Sequence, residues 1–134
     1  MSSPLYIVWS DKYNHGIPII DEQHRGMVVL INTFHYFLQE GYPIEIMKPI
    51  RAALDQYTAI HFRTEETLME KTEYPGLEEH IILHKKLTGA IEETARKIRV
   101  SRDPDEALAF LKEWWLDHIN KADREFSLHV KMTE

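Results

Sequence analysis

Apolar residues recur along most of the chain at alternating steps of three and four positions, which is the period of one face of an α-helix. Prolines and glycines interrupt this pattern and divide it into separate segments. Each segment is long enough for several helical turns. The pattern therefore predicts four amphipathic helices, at about Asp21–Gln39, Ile44–Lys71, Gly76–Ile98 and from Asp103 to about residue 130.

The ends of these helices are marked by residues with known positional preferences. Asp21 is expected to cap the first helix, and Gly41 follows its end. Pro43 and Pro49 limit the start of the second helix, because proline is tolerated only in the first turn. The sequence Asp103-Pro104-Asp105-Glu106 has the pattern of a capping box and predicts where the fourth helix begins.

Four amphipathic helices with short connections are typical of one architecture. They are expected to pack as an antiparallel up-down-up-down four-helix bundle, so the predicted fold class is all-α. Residues 1–20 carry no helical period and are expected to form an irregular N-terminal arm, with residues 21–130 forming the bundle. The length of 134 residues favours a single domain over residues 1–134.

Composition and charge argue against several classes of function. The net charge is −6 and the basic residues form only short pairs, which is not the pattern of a nucleic-acid-binding protein. No apolar run approaches the roughly 18 residues that cross a membrane, and residues 1–9 lack the features of a secretory signal. The absence of cysteine excludes disulfides and thiolate ligands, and it fits a reducing cytoplasm as the expected location.

Polar residues interrupt the inward faces of all four predicted helices. Burial of imidazoles and carboxylates without partners is costly, so these side chains must bind one another or a metal ion. Imidazole nitrogens with a few carboxylate oxygens form the ligand set of a transition-metal centre. The residues concerned are His24, His61, Glu65, His80, His84, His118 and Asp123.

The spacing of these residues indicates one shared site. His61 and Glu65 are four residues apart, as are His80 and His84, so each pair projects from one side of its helix. A single pair of this kind occurs by chance. However, the pairs and the histidines of the other two helices all fall near the same end of an antiparallel bundle. Since two carboxylates are available as bridges, two metal ions are expected.

Motifs across nearly the whole chain match one family. They include Ile20-Asp21-Glu22-Gln23-His24, His61-Phe62 with Glu65-Glu66, Glu79-His80 with His84, and His118-Ile119 with Asp123. On these residues the chain resembles the hemerythrins, and in particular the single-domain bacteriohemerythrins. The resemblance implies a non-haem di-iron centre that binds O2 reversibly, for oxygen carriage, storage or sensing.

The resemblance also implies a role for each ligand. One iron ion would be bound by three histidines, His80, His84 and His118. The other would keep an open position for O2 and would be bound by two histidines, His24 and His61. Glu65 and Asp123 would bridge the two ions, together with an oxo or hydroxo group derived from solvent.

The O2 pocket is where the sequence departs from the family. Trp115 lies one turn before His118, where leucine is expected, and it would line the pocket together with Phe62. It would either obstruct O2 entry or shield bound oxygen from water. The alternative is an indole that packs in the core and has no effect on O2.

Two other functions stay open at this point. One is a di-iron oxidase or peroxidase that consumes peroxide, and the other is an interaction domain that a metal stabilises without oxygen chemistry. A ligand set rich in histidine is less able to support high-valent iron than a site of four carboxylates, which favours reversible binding. The protein is therefore expected not to be an enzyme, with O2 as its ligand and no protein partner indicated.

Several further side chains carry predictions of their own. His35 is expected to be buried and hydrogen-bonded, whereas His15 and His129 are expected to be solvated. Tyr57 is predicted to lie in the core. Glu66 would either support a metal ligand or lie at the surface.

The spacing within the fourth helix predicts an irregularity. His118 and Asp123 are five residues apart, which in a regular α-helix separates their directions by about 140°. Both can face the same metals only if the helix is interrupted within Ile119–Arg124. A π-helical turn, with hydrogen bonds from residue i to residue i+5, would align them.

Overall fold

The computed structural model describes residues 5–101 and 104–133 of the chain, and all regular structure in these ranges is helical. Within them, no helix is both long and apolar enough to cross a lipid bilayer. Two short 3-10 helices, Asp11–Tyr13 and Ile44–Met47, precede the first two α-helices. The longer elements are α1 (Pro18–Gln39), α2 (Lys48–Lys71), α3 (Leu77–Ser101), α4 (Pro104–Asp117), a π-helical segment (His118–Asp123) and α5 (Arg124–Thr133).

The chain divides into two compact units, residues 1–61 and residues 62–134, and the division falls within α2. Helix α2 begins at Lys48, so the predicted start at Ile44 corresponds to a 3-10 turn. Pro49 lies in the first turn of α2, as the sequence predicts, because the missing N–H has no partner to lose there.

In the first unit, α1 begins three residues before the predicted cap. Pro18 occupies its first turn and Ile17 is the N-cap, so the assignment of the cap to Asp21 was wrong. The Asp21 carboxylate instead accepts hydrogen bonds from the backbone N–H groups of His15 and Gly16, at 2.7 and 3.0 Å. Asp21 thereby attaches the N-terminal arm to the start of α1.

The buried face of α1 forms the core of the first unit, and Ile20, Met27 and Ile31 are fully buried on it. Farther along the helix, His35 is only half-buried and stacks on the ring of Tyr6 in the arm, with the ring centroids 4.5 Å apart. The prediction of a buried His35 was therefore wrong.

Another close contact in the first unit lies at Gly26, the only glycine within α1. Tyr57 is half-buried rather than fully in the core, and its hydroxyl end occupies the space where a Cβ of residue 26 would lie. Gly26 therefore allows the tyrosine ring of α2 to pack directly against the backbone of α1.

The interruption that the sequence predicts in the fourth helix lies in the second unit. Residues His118–Asp123 form a π-helical segment between α4 and α5, which confirms the break expected within Ile119–Arg124. Helix α3 continues to Ser101, three residues beyond its predicted end. The fourth helix was predicted to be capped by Asp103, which lies outside the described residues.

Two histidines predicted to be solvated are not. His15, in the first unit, has only 2% of its surface exposed. His129, in the second unit, is half-buried and its Nε2 lies 2.9 Å from the carbonyl oxygen of Thr72, at the end of α2. Both predictions were wrong because they relied on the helical period alone, which does not encode the contacts of residues that lie outside it.

Candidate metal centre

Five potential metal ligands come together in the second unit. Each offers one ligand atom, and these atoms all lie within 4.8 Å of one another. All five side chains are buried, so bulk water competes little with a metal ion for their ligand atoms. They are Glu65 from α2, His80 and His84 from α3, and His118 and Asp123 from the π-helical segment.

The three histidines of this group direct the same ring atom at the two carboxylates. Nε2 of His118 lies 3.0 Å from Oδ1 of Asp123, and Nε2 of His80 lies 3.2 Å from the same oxygen. Nε2 of His84 lies 3.4 Å from Oε1 of Glu65. Three imidazole nitrogens and two carboxylate oxygens thus converge on one small volume, which fits a transition-metal ion.

The local conformation of each helix explains this convergence. His80 and His84 are one turn apart on α3, so their side chains project from the same side. His118 and Asp123 would diverge on a regular α-helix, and the π-helical turn brings them to within hydrogen-bonding distance. Such turns are frequently found at functional sites, and this one brings two potential metal ligands together.

The electrostatics of the group favour a cation. Burial by itself lowers the pKa of His118, but the neighbouring Asp123 and Glu65 carboxylates outweigh that effect and raise the pKa to about 10. The carboxylates therefore hold a positive charge at this position strongly. A divalent metal ion satisfies the same negative potential and leaves the imidazole nitrogen as a ligand.

His84 is held in place from both sides of its ring. Its Nδ1 donates a hydrogen bond to Oε2 of Glu66 at 3.0 Å, so Glu66 contacts a potential metal ligand. The ring of Phe62 stacks on the imidazole of His84, with centroids 3.8 Å apart and planes 7° from parallel. With Nδ1 donating to Glu66, the lone pair of Nε2 is available to a metal.

In the first unit, His24 from α1 and His61 from α2 form a second potential pair of ligands. Both are fully buried, and their Nε2 atoms face each other at 3.2 Å. Nδ1 of His61 donates a hydrogen bond to Oε1 of Gln23 at 2.8 Å, so the lone pair of a neutral His61 ring lies on Nε2, the atom that would bind a metal. The ring of His15 meets that of His24 edge to face, at 5.3 Å between centroids.

The sequence alone did not reveal the residues that support the potential metal ligands. Gln23 stands inside the motif that contains His24, yet its hydrogen bond to His61 spans 38 residues and has no signature in the local pattern. The buried His15 was missed for the same reason.

Helix α2 carries potential ligands of both units, since His61 and Glu65 lie one turn apart on one continuous helix.

The residues predicted to line an O2 pocket lie in the second unit. Trp115 is fully buried, and Phe62 contacts the imidazoles of His84 and His118, at 3.8 and 5.7 Å between centroids. Trp114, for which the sequence interpretation gave no role at the site, lies parallel to His118 at 6.4 Å. Aromatic rings thus surround two of the three histidines.

Comparison with known proteins identifies the class to which this fold and site belong. Residues 15–127 match the model of the hemerythrin HHE cation binding domain. The match covers most of the chain and includes all seven predicted ligands. The chain therefore belongs to the hemerythrin family.

Its relatives include bacteriohemerythrins from several organisms. The chain is 34% identical to the bacteriohemerythrin of Pseudomonas aeruginosa (strain LESB58) over 119 residues, which cover 88% of this chain and 77% of that protein. It is 31% identical to that of Stenotrophomonas maltophilia (strain R551-3), over 93% of this chain and 82% of that protein. A crystal structure of a hemerythrin mutant superimposes with a TM-score of 0.82 at 25% identity, covering 95% of this chain and 98% of that one.

Family membership confirms the main predictions. The fold class is the all-α four-helix bundle of the hemerythrins. The chain is a hemerythrin-type protein, whose class is defined by a non-haem di-iron centre that binds O2. The buried histidines and carboxylates in each unit provide donor atoms of the kind such a centre requires.

Proposed function

We propose that this protein binds O2 reversibly at two iron ions, in order to carry, store or sense oxygen, and that it is not an enzyme. The observation that carries this proposal is the unequal supply of histidines to the two metals. The second unit groups three imidazoles with two carboxylates, whereas the first unit offers two imidazoles. An ion with fewer protein ligands keeps a coordination position for an external molecule.

The proposed ligand assignment follows the family resemblance. One iron ion is bound by His80, His84 and His118, and the other by His24 and His61. Glu65 and Asp123 bridge the two ions, with a solvent-derived oxo or hydroxo group as the third bridge. The convergence of three Nε2 atoms on Glu65 and Asp123 within the second unit supports the first part of this assignment.

The chain's own residues would favour reversible binding because they restrict the reactions that bound O2 can undergo. All seven proposed ligands are buried, so bulk water has little access to the ligand side chains themselves. In each unit one histidine is oriented by a hydrogen bond from its Nδ1, which the oxygen of Glu66 accepts from His84 and that of Gln23 accepts from His61. Ligands oriented by such hydrogen bonds would change their geometry little between the free and bound states.

The proposed domain is the whole chain, residues 1–134, with residues 1–20 as an N-terminal arm and 21–130 as the bundle. The family match supports this extent, since it runs from residue 15 to 127 and crosses the boundary between the two units. We also propose a cytoplasmic location, which the absence of cysteine supports.

The test is a cycle of oxygenation monitored by absorption spectroscopy. The iron-loaded protein is reduced without air, exposed to O2 and then flushed with argon, and its iron content is measured in parallel. We expect two iron ions per chain and an O2-dependent band that appears and disappears over repeated cycles. An oxidase or peroxidase would instead end oxidised after one exposure, and a purely structural metal site would show no O2-dependent band.

A pair of variants on α1 links the result to the proposed site. Replacement His24→Ala removes a ligand of the two-histidine ion, so the O2-dependent band should be lost. The matched control His35→Ala changes a histidine of the same helix that stacks on Tyr6, and it should leave the band intact. A normal oxygenation cycle in the His24→Ala protein would contradict the assignment.

A further inference from the structure

His15 lies in the N-terminal arm, yet it is nearly as deeply buried as the potential ligands of the first unit. Only 2% of its surface is exposed, and His24 and His61 are fully buried. The imidazole of His15 meets that of His24 edge to face, with the ring centroids 5.3 Å apart and the planes at 77°. The ligand assignment proposed above gives this buried ring no role, although it contacts one of the ligands.

The backbone at His15 is held by one carboxylate. Oδ1 of Asp21 accepts a hydrogen bond from the N–H of His15 at 2.7 Å, and Oδ2 accepts one from the N–H of Gly16 at 3.0 Å. Gly16 has a φ of 87°, in the left-handed region that glycine adopts without strain, so the chain can turn there directly after His15. Asp21 and Gly16 therefore fix the position from which the His15 side chain extends.

The contact between His15 and His24 resembles one in the second unit. There the ring of Phe62 packs on the imidazole of His84, with the centroids 3.8 Å apart. The His24 imidazole contacts the His15 ring and also that of His61, at 4.7 Å between centroids. Edge-to-face contact between rings is favourable beyond the burial of their surface, and the groups packed around a metal ligand set its orientation.

We propose that His15 is a positioning residue for the metal ion that His24 binds, and that Asp21 acts on this ion through His15. The ring of His15 keeps the His24 imidazole in the orientation in which its Nε2 faces Nε2 of His61. An ion with only two histidine ligands is sensitive to the orientation of each. The inference rests on the proposed function, because it takes His24 as a ligand of the two-histidine ion.

The test measures zinc binding, which involves no oxygen chemistry. Zinc is titrated in competition with a chelator, and the two binding steps are assigned with His24→Ala and His84→Ala, each expected to remove the step of its own ion. His15→Ala should lower the affinity of the step that His24→Ala removes by roughly 2–10-fold, the effect of one contact between rings, and leave the other step unchanged. No change in either step, or an equal loss in both, would overturn the proposal.

Two further substitutions at the same position separate the ring contact from the filling of space. His15→Phe keeps a planar ring and should restore most of the zinc affinity that His15→Ala loses. His15→Leu fills a similar volume without a ring and should restore little of it. Melting temperatures of the metal-free variants show whether each is folded. Equal rescue by leucine and phenylalanine would mean that His15 only fills space, which would refute a role for its ring.

The matched control is His35→Ala. The ring of His35 also joins α1 to the arm, since it stacks on Tyr6 at 4.5 Å between centroids, but it lies about three turns from His24. This variant weakens the attachment of the arm without touching His15, so both zinc affinities should stay unchanged. A loss as large as that of His15→Ala would assign the effect to attachment of the arm in general and would contradict the proposal.

A double-mutant cycle tests whether Asp21 acts through His15. Asp21→Asn removes the charge and one of the two acceptor oxygens, so it should weaken the same zinc step, though less than His15→Ala does. In the His15→Ala protein the Asp21→Asn substitution should have no further effect, because the ring that it positions is gone. An equal loss in both backgrounds would show that Asp21 acts independently of His15.

The ligand variant separates failure of this inference from failure of the proposed function. Two zinc ions bound at full affinity in the His24→Ala protein would contradict the ligand assignment and, with it, the role of His15. Loss of one step in His24→Ala without any change in His15→Ala would overturn the role of His15 alone.

Discussion

Replacement of Glu66 by alanine should weaken metal binding although Glu66 is not a proposed ligand. Its Oε2 accepts a hydrogen bond of 3.0 Å from Nδ1 of His84, and Phe62 stacks on the same ring. The carboxylate fixes which nitrogen of His84 bears the proton and raises the basicity of Nε2. Without it, Phe62 still restrains the plane of the ring, but the imidazole loses its electrostatic support.

The size of the effect follows from the burial of this pair. Loss of such a supporting group typically costs about 10–100-fold in metal affinity, or roughly 1.4–2.7 kcal/mol. The Glu66 side chain is 29% exposed while that of His84 is 4% exposed, so water can partly replace the carboxylate. We therefore expect a loss near the lower end, about 10–30-fold.

The assay is a competition between the protein and a chelator of known zinc affinity. Glu66→Gln keeps an oxygen acceptor but removes the charge, and its loss of affinity should be smaller than that of Glu66→Ala. The matched control is Glu70→Ala, which removes an exposed carboxylate one turn farther along α2. It should leave zinc affinity unchanged.

Two results would refute this reasoning. If Glu66→Ala bound zinc as tightly as the unaltered protein, the hydrogen bond to His84 would have no influence on the metal. If Glu70→Ala lost as much affinity as Glu66→Ala, the effect would come from the net charge of α2 and not from the contact with His84.

Three further predictions concern the same centre. His80→Ala and His84→Ala should each lose iron from the three-histidine site and lower the melting temperature, because metal binding contributes folding energy; two irons and normal melting in both would contradict the assignment. Because the Asp123 and Glu65 carboxylates outweigh burial and raise the pKa of His118 to about 10, zinc addition at pH 8 should release a proton and affinity should increase with pH, as measured in weakly buffered solution. Trp115→Leu should change O2 association or autoxidation several-fold at constant iron content in stopped-flow mixing, and identical rates would show that the indole has no effect on O2.

The sequence by itself determined the helices and the identity of the proposed ligands. Both depend on local periodicity, since a helix of 3.6 residues per turn fixes which side chains share a face. His80 and His84 therefore lie on one side of α3 as predicted. The same reasoning predicted the π-helical turn between His118 and Asp123, because a spacing of five residues is incompatible with a shared face on a regular α-helix.

Prediction from the local sequence was less successful at the ends of helices and for residues outside the helical period. Asp21 has the residue type of an N-cap, but Pro18 starts the helix earlier and Asp21 binds the backbone of His15 and Gly16 instead. His15 is buried although nothing in its local pattern indicates a helix face. A loop residue is buried by what packs over it, and its neighbours in sequence do not encode that.

Only the tertiary structure decided which groups support the ligands. The hydrogen bond of Gln23 to His61 joins residues 38 positions apart, and that of Glu66 to His84 joins residues 18 apart. The contact of His15 with His24 likewise exists only where the N-terminal arm packs against α1. Such contacts depend on how whole helices are placed, so a periodic pattern can place a ligand on the correct face but cannot show which neighbouring side chain sets its charge and orientation.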